Sequence, residues 1–247
     1  MTSIGNYAFY ECTGLTSITI PDSVKSIGGW AFDDCIGLTS ITIPGGVTSI
    51  GAGAFCGCRS LTSVTIPDGV TEISEDAFAD CTGLTSIAIP DGVTSIGAGA
   101  FWGCTGLTSV TIPDSVTEIP ADAFWGCTGL TSITIPNGVT SIDDEAFKDC
   151  RSLMSITIPD GVTSIEPDAF SGCTSLTSIT LPDSVKHIGA FAFDGCDDLQ
   201  TIVCSAEMKK DLDSNRAFYA IPDNMNIVTP EEYASKEKEN DGPSLDD

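Results

Sequence analysis

Eleven cysteines and thirty-five carboxylates give this 247-residue chain its main capacity for chemistry. Nine of the cysteines fall at 12, 35, 58, 81, 104, 127, 150, 173 and 196, a constant step of 23. Thiols in such number suggest metal binding or disulfides. A zinc site needs four ligands converging on one point, usually from paired C-x₂₋₄-C elements. Here Cys56 and Cys58 form the one close pair, and His187 is the only histidine. Residues repeated in register on stacked strands lie roughly 5 Å apart, which is within the Cα range of a disulfide. Parallel side chains in register nevertheless keep their Cβ atoms too far apart without distortion. The column is therefore read as buried, reduced thiols, which favours a reducing environment. Disulfide and metal readings rank below it, and no cofactor is expected.

The carboxylates repeat as well. Asp22, Asp68, Asp91, Asp114, Asp160 and Asp183 share one register, with Gly45 and Asn137 interrupting it. Calcium takes six to eight oxygens, and one Asp per repeat beside Pro and Val supplies few. An Asx-type turn at a chain corner explains the column better. Glu75 and Asp76, Asp143 to Glu145, and Glu166 to Asp168 form further acidic clusters just before Ala-Phe pairs. They are expected on a solvent-facing side, conferring solubility, with docking of a basic partner as the sharper alternative. His187 sits where other repeats carry Thr, Ser or Glu, so it reads as a surface substitution. No Ser-His-Asp set, phosphate loop or HExxH helix appears, and catalysis is not expected.

Aromatic residues vary where the rest is uniform. The position after each repeated Phe carries Tyr10, Asp33, Cys56, Ala79, Trp102, Trp125, Lys148, Ser171 and Asp194. Trp102 and Trp125 hold it on consecutive repeats, so their indoles should stack at one edge. A paired, exposed Trp is typical of binding hot spots; shielding of the repeat edge is the plainer reading. Trp30 shares a column with Tyr7 and Phe191 and reads as a shield for the ends. Tyr10, Trp30 and Met154 join the Trp pair as candidate partner-binding residues.

These side chains are positioned by a repeat. Phe recurs at 9, 32, 55, 78, 101, 124, 147, 170 and 193, and Leu, Pro and Val columns keep the same step of 23 without insertion. The unit reads A-F-x-x-C-x-x-L-T-S-I-T-I-P-D-x-V-T-x-I-x-x-x. Leu15, Ile18 and Ile20 favour a short strand, and Pro21-Asp22 a turn. Val24 and Ile27 point inward from a second extended piece, and Ala31, Phe32 and Cys35 fit a short helical turn. One unit alone buries nothing. Stacked about 4.8 Å apart, nine units make a parallel sheet over a continuous core on the order of 40 Å long.

The A-F-x-x-C-x-x-L-x-x-I-x-I-P unit resembles the BspA-like leucine-rich repeats over roughly residues 1 to 204. The resemblance implies a curved α/β, mostly β solenoid, with a parallel sheet on the concave face and short helical turns on the convex side. Members of that family are often surface proteins linked to adhesion, and no catalytic residue belongs to the family pattern. Concave outward positions here are uniformly Thr16, Ser17, Thr19 and their equivalents, broken by Ala88, Met154, Gln200 and Val203. Residues 205–235 read as a C-terminal cap, opening with an N-capping Ser205, and 236–247 as a disordered acidic tail.

The formal charge of −25, from 35 acidic against 10 basic residues, disfavours nucleic-acid and membrane-surface partners. No apolar run approaches the ~20 residues of a membrane helix. Residues 1–6 lack a positive segment and an apolar core, so a cytoplasmic location is expected if residue 1 is the true start, and a cell-surface one if the chain is a fragment. The expected function is a non-catalytic protein-binding module, a scaffold or interaction subunit whose partner is protein and basic. The alternative is a cell-surface adhesin binding extracellular proteins through repeat avidity.

Overall fold

The structure is a computed structural model that describes residues 1–216, 221 and 225–240. Each 23-residue unit makes one coil of a parallel β-solenoid. The longer strand of a coil is Ser40–Thr42 in the second coil, with Ile41 buried between exposed Ser40 and Thr42. This alternation is the period-2 pattern of a sheet with one face in the core. Within the repeats, pairing joins each strand residue to the one 23 positions on, as in Ser17 with Ser40 and Ile18 with Ile41; the last pair, Thr201 with Asn226, is offset by 25. Ten such strands run in sequence order from Ser17–Thr19 to Asn226–Val228 in one parallel sheet.

Pro then supplies the corner through its carbonyl. In the first coil Val24 N–H donates to Pro21 O at 3.0 Å, and the same bond closes the corner in later coils, as Val47 to Pro44 and Val70 to Pro67. The corner is thus a backbone turn with an exposed Asp inside it, and an Asx bond is not what holds it. Two-residue strands such as Ser26–Ile27 and Ser49–Ile50 follow, and their Ile side chains enter the core.

The Ala-Phe segment departs from expectation. It is a run of three-residue turns in which every second amide leaves for the next coil. Asp33 N–H and Cys35 N–H bond back to Trp30 O and Phe32 O, while Trp30, Phe32 and Asp34 donate to Ala52, Ala54 and Cys56 O, each at 2.8 Å. A helix would keep all these amides for itself. The alternation requires left-handed backbone at two positions per coil, four residues apart, such as Trp30 (φ 56°) and Asp34 (φ 52°). With Tyr7, Glu11, Glu145 and Phe191 as exceptions, Gly or Asp takes these places in most other coils, including Gly53 and Gly57, and Asp76 and Asp80. Both tolerate left-handed φ better than other residues. Among the described residues, helices are confined to the C-terminal end.

The core is a set of columns. Phe rings stack nearly parallel, with centroids from 5.1 Å apart at Phe9–Phe32 to 6.2 Å at Phe170–Phe193. At the far end Ser205 caps α1 (Ala206–Ser214), its Oγ accepting from Met208 N–H at 3.2 Å. The strand Asn226–Val228 extends the sheet beside Thr201–Val203. In α2 (Pro230–Asn240) Thr229 and Glu232 form a reciprocal capping box, and Lys209 reaches across from α1 to Glu232 at 2.7 Å. That helix includes residues 236–240, which the sequence placed in a disordered tail; 241–247 lie outside the described residues. No described helix is long and apolar enough to cross a membrane.

Candidate partner-contact edge

The residue after each core Phe sits on the turn edge with its amide and carbonyl fixed by the turn ladder; Ala79, Asp33 and Ser171 are buried there, while Trp102 and Trp125 reach solvent. Trp102 N–H donates to Gly99 O at 2.9 Å and Trp125 N–H to Asp122 O at 3.0 Å. Their carbonyls accept from Asp80 N–H and Gly103 N–H of the preceding coils at 2.6 and 2.7 Å. The two side chains therefore leave the backbone one coil apart in the same direction. Their indoles meet at a centroid distance of 5.7 Å, tilted by 37°. Trp102 is 40% exposed and Trp125 is half-buried.

Lys148, next in the column, extends the stack with a cation. Its Nζ lies 5.5 Å from the Trp125 ring centroid, within cation–π range. The ammonium also pairs with Glu145 at 2.9 Å and Asp168 at 3.7 Å. The hydrogen bond to Glu145 raises its pKa against the opposing effect of burial.

At the other end of the pair the surface opens into a depression of about 250 Å³. Glu75, Asp76, Ala98, Gly99, Trp102, Asp122 and Trp125 line it. Its shape comes from the left-handed column, which reads Asp76, Gly99, Asp122 on three consecutive coils. Gly99 has no side chain between the two carboxylates, and the Asp76 carboxylate leans over it: a Cβ there would sit 2.3 Å from Asp76 Oδ1. Both carboxyls are held above the usual range. For Asp76 the causes are burial, then Glu75 and Asp122; for Asp122 they are burial, then Glu145, with Lys148 acting oppositely.

The remaining candidates lie elsewhere. Tyr10 is 45% exposed, edge-on to Tyr7, and four coils from Trp102, roughly 19 Å at the usual strand spacing. Trp30 lies over the glycine of the next coil, where a Cβ on Gly53 would meet its ring at 2.3 Å. Met154 is exposed on the face of the ten-stranded sheet. It interrupts a ladder in which Thr39, Thr62, Thr85, Thr108 and Thr131 donate hydroxyl bonds to the coil before. His187 is exposed, with Nε2 3.6 Å from Glu166 Oε2. The acidic clusters are only partly solvent-facing, since Asp76, Glu145 and Asp168 each occupy a half-buried left-handed position. Sequence reasoning missed this column and with it Gly99; the interchange of Gly with Asp two residues before Phe was the available signal.

The cysteines are structural. From Cys35 to Cys196 each column thiol donates to the Phe carbonyl 26 residues earlier, at 3.1 to 3.2 Å. Burial pushes Cys127 and Cys196 up to about 12. All eleven are free thiols in the structure, and among the described residues no three His, Cys, Asp or Glu side chains converge to hold a metal.

Residues 2–131 and 117–235 match the BspA type Leucine rich repeat region (6 copies). The chain belongs to the BspA-type leucine-rich-repeat family. Solved structures resemble it along most of their length. A leucine-rich repeat protein of T. pallidum is 29% identical with a TM-score of 0.55, covering 81% of this chain and 82% of that one. One from Bacteroides ovatus is 26% identical with a TM-score of 0.48, covering 93% and 87%. A leucine rich cell surface protein of Faecalibacterium prausnitzii is 25% identical with a TM-score of 0.44, covering 95% and 85%. No curated protein matches the chain significantly. BspA-type repeats are typical of protein-binding or surface proteins and are generally non-enzymatic scaffolds.

Proposed function

We propose that this BspA-type chain is a non-catalytic protein-binding module, a scaffold or interaction subunit that docks its partner on the turn edge carrying Trp102 and Trp125. The observation behind this reading is the indole pair, in contact across two consecutive coils and partly exposed at the turn edge. Large aromatic side chains left partly in water are the residues whose burial contributes most to association. The uniform hydroxyl face of the sheet offers less, because many of its Thr hydroxyls already donate to backbone carbonyls. The non-catalytic part of the proposal rests on chemistry. The column thiols are protonated hydrogen-bond donors deep in the core, and the polar contact His187 makes is with the carboxylate of Glu166.

Affinity capture from native extract tests the proposal, comparing the wild-type chain with a Trp102→Ala/Trp125→Ala variant of equal circular dichroism. A discrete partner recovered by the wild type and lost by the variant is the expected result. Equal recovery by both proteins contradicts the edge. Retention by the variant of binding to purified extracellular-matrix proteins would support the adhesin reading instead.

A further inference from the structure

The proposed edge has a chemical preference that the indoles alone do not explain. On the C-terminal side of the Trp pair, the chain places one of its own ammonium groups on an indole, with carboxylates at its flanks: Lys148 on Trp125, beside Glu145 and Asp168. On the N-terminal side the same ingredients recur without the cation. Trp102 and Trp125 form one wall of the depression, Glu75, Asp76 and Asp122 stand around it, and no Lys or Arg is among its lining residues. At its floor Gly99 replaces the Asp that the coils before and after carry, and the Asp76 carboxylate leans over the glycine. The position before Trp102 in its own column is Ala79, a buried methyl too short to cover an indole.

Resting on the docking edge proposed above, we infer that this depression receives a cationic side chain, a lysine or arginine, from a basic segment of the partner. The cation would lie against the Trp102–Trp125 wall and accept the carboxylates of Asp76 and Asp122 as counter-ions, reproducing with an external group what Lys148 does within the chain. The geometry favours it twice over: aromatic faces attract cations through their quadrupole, and carboxylates add charge-assisted hydrogen bonds. The electrostatics agree. Burial and neighbouring carboxylates hold Asp76 protonated more readily than usual, and no cation of the chain is among the groups acting on it. An arriving positive charge relieves that repulsion. The overall charge of −25 also draws basic segments toward the molecule without selecting a place for them. The depression supplies the place.

The test uses the full chain and a capped five-residue peptide with one central arginine among glycines, beside its citrulline counterpart, which keeps the shape and removes the charge. Indole N–H resonances of Trp30, Trp102 and Trp125, assigned through Trp→Phe variants, report the site. Saturable shifts of Trp102 and Trp125 with the arginine peptide, at a dissociation constant on the order of 1 mM, are expected. Trp30 should not move. Asp76→Asn/Asp122→Asn should weaken binding about tenfold, and Gly99→Asn, which tolerates left-handed φ and fills the floor, should abolish it. Equal shifts with citrulline, or arginine binding unchanged in Gly99→Asn and in Asp76→Asn/Asp122→Asn, would overturn the inference. The two proposals separate in the capture experiment. A partner lost by Trp102→Ala/Trp125→Ala but kept at full affinity by Asp76→Asn/Asp122→Asn leaves the docking edge standing and removes the cation site. A partner kept by both variants removes the edge, and the peptide titration then decides the depression alone.

Discussion

At the scale of single residues, the column that looked most reactive is the least so. Each thiol from Cys35 to Cys196 is spent on a backbone carbonyl of an earlier coil. A buried thiolate is penalised, so the folded protein holds these protons more tightly than the unfolded chain does. The sign follows directly. The folded-state pKa is raised, from 9.0 to about 12 at Cys127 and Cys196, so the stabilisation is complete below pH 9 and is lost as pH rises toward 12. Alkaline titration followed by circular dichroism should show unfolding in that window, and Cys127→Ala should move its onset upward. At pH 8, an aromatic disulfide reagent should react slowly with the column thiols of the native protein and rapidly with all eleven in guanidinium. Fast native reaction at the buried column would contradict the account. Single residues also set the limit of sequence reading. Trp102 and Trp125 were visible because they break a uniform column. Gly99 was not, because its meaning is an absent side chain between two neighbours that only stacking brings together.

The repeated element explains where reading by pattern succeeded and where it stopped. Inward Leu, Ile, Val and Phe positions follow from periodicity, and the strand register follows from a repeat length that never changes. The Ala-Phe segment resisted because its conformation depends on the sign of φ, which hydropathy does not carry. Asp and Gly interchange there for a backbone reason, while acidic character suggested a solvated surface. Gly126 gives a clean test. Its φ is 72°, and a Cβ would meet Gly103 Cα at 3.7 Å and Gly103 N at 3.8 Å, both ordinary contacts, so conformational cost dominates. Gly126→Ala should destabilise by about 1–2 kcal/mol. Gly126→Asp should cost less, because Asp34, Asp80 and Asp149 hold the same position in other coils. Thermal melts of the two variants compare them directly, and equal losses would show that sterics, not handedness, govern the site. Phe124→Ala belongs to the same scale: removing one ring from the stacked column should cost about 3–5 kcal/mol.

The whole molecule is a one-dimensional stack, each coil resting on its neighbours. Its charge of −25 is distributed along that stack and opposes compaction. Raising ionic strength from low to physiological values, where the Debye length falls to about 8 Å, should therefore raise the melting temperature. A fall would mean that specific ion pairs outweigh general repulsion. At this scale the fold was legible from the sequence, while the direction in which the solenoid meets a partner was not, since nine similar coils present nine similar edges. The Trp pair distinguishes one of them. Hydrogen exchange on the isolated complex of this chain with its captured partner tests that distinction most directly. The account predicts new protection concentrated in the turn segments around residues 99–104 and 122–127, with the strand face near Met154 unchanged. Protection on the ten-stranded sheet, with the indole edge exchanging as in the free protein, would contradict it.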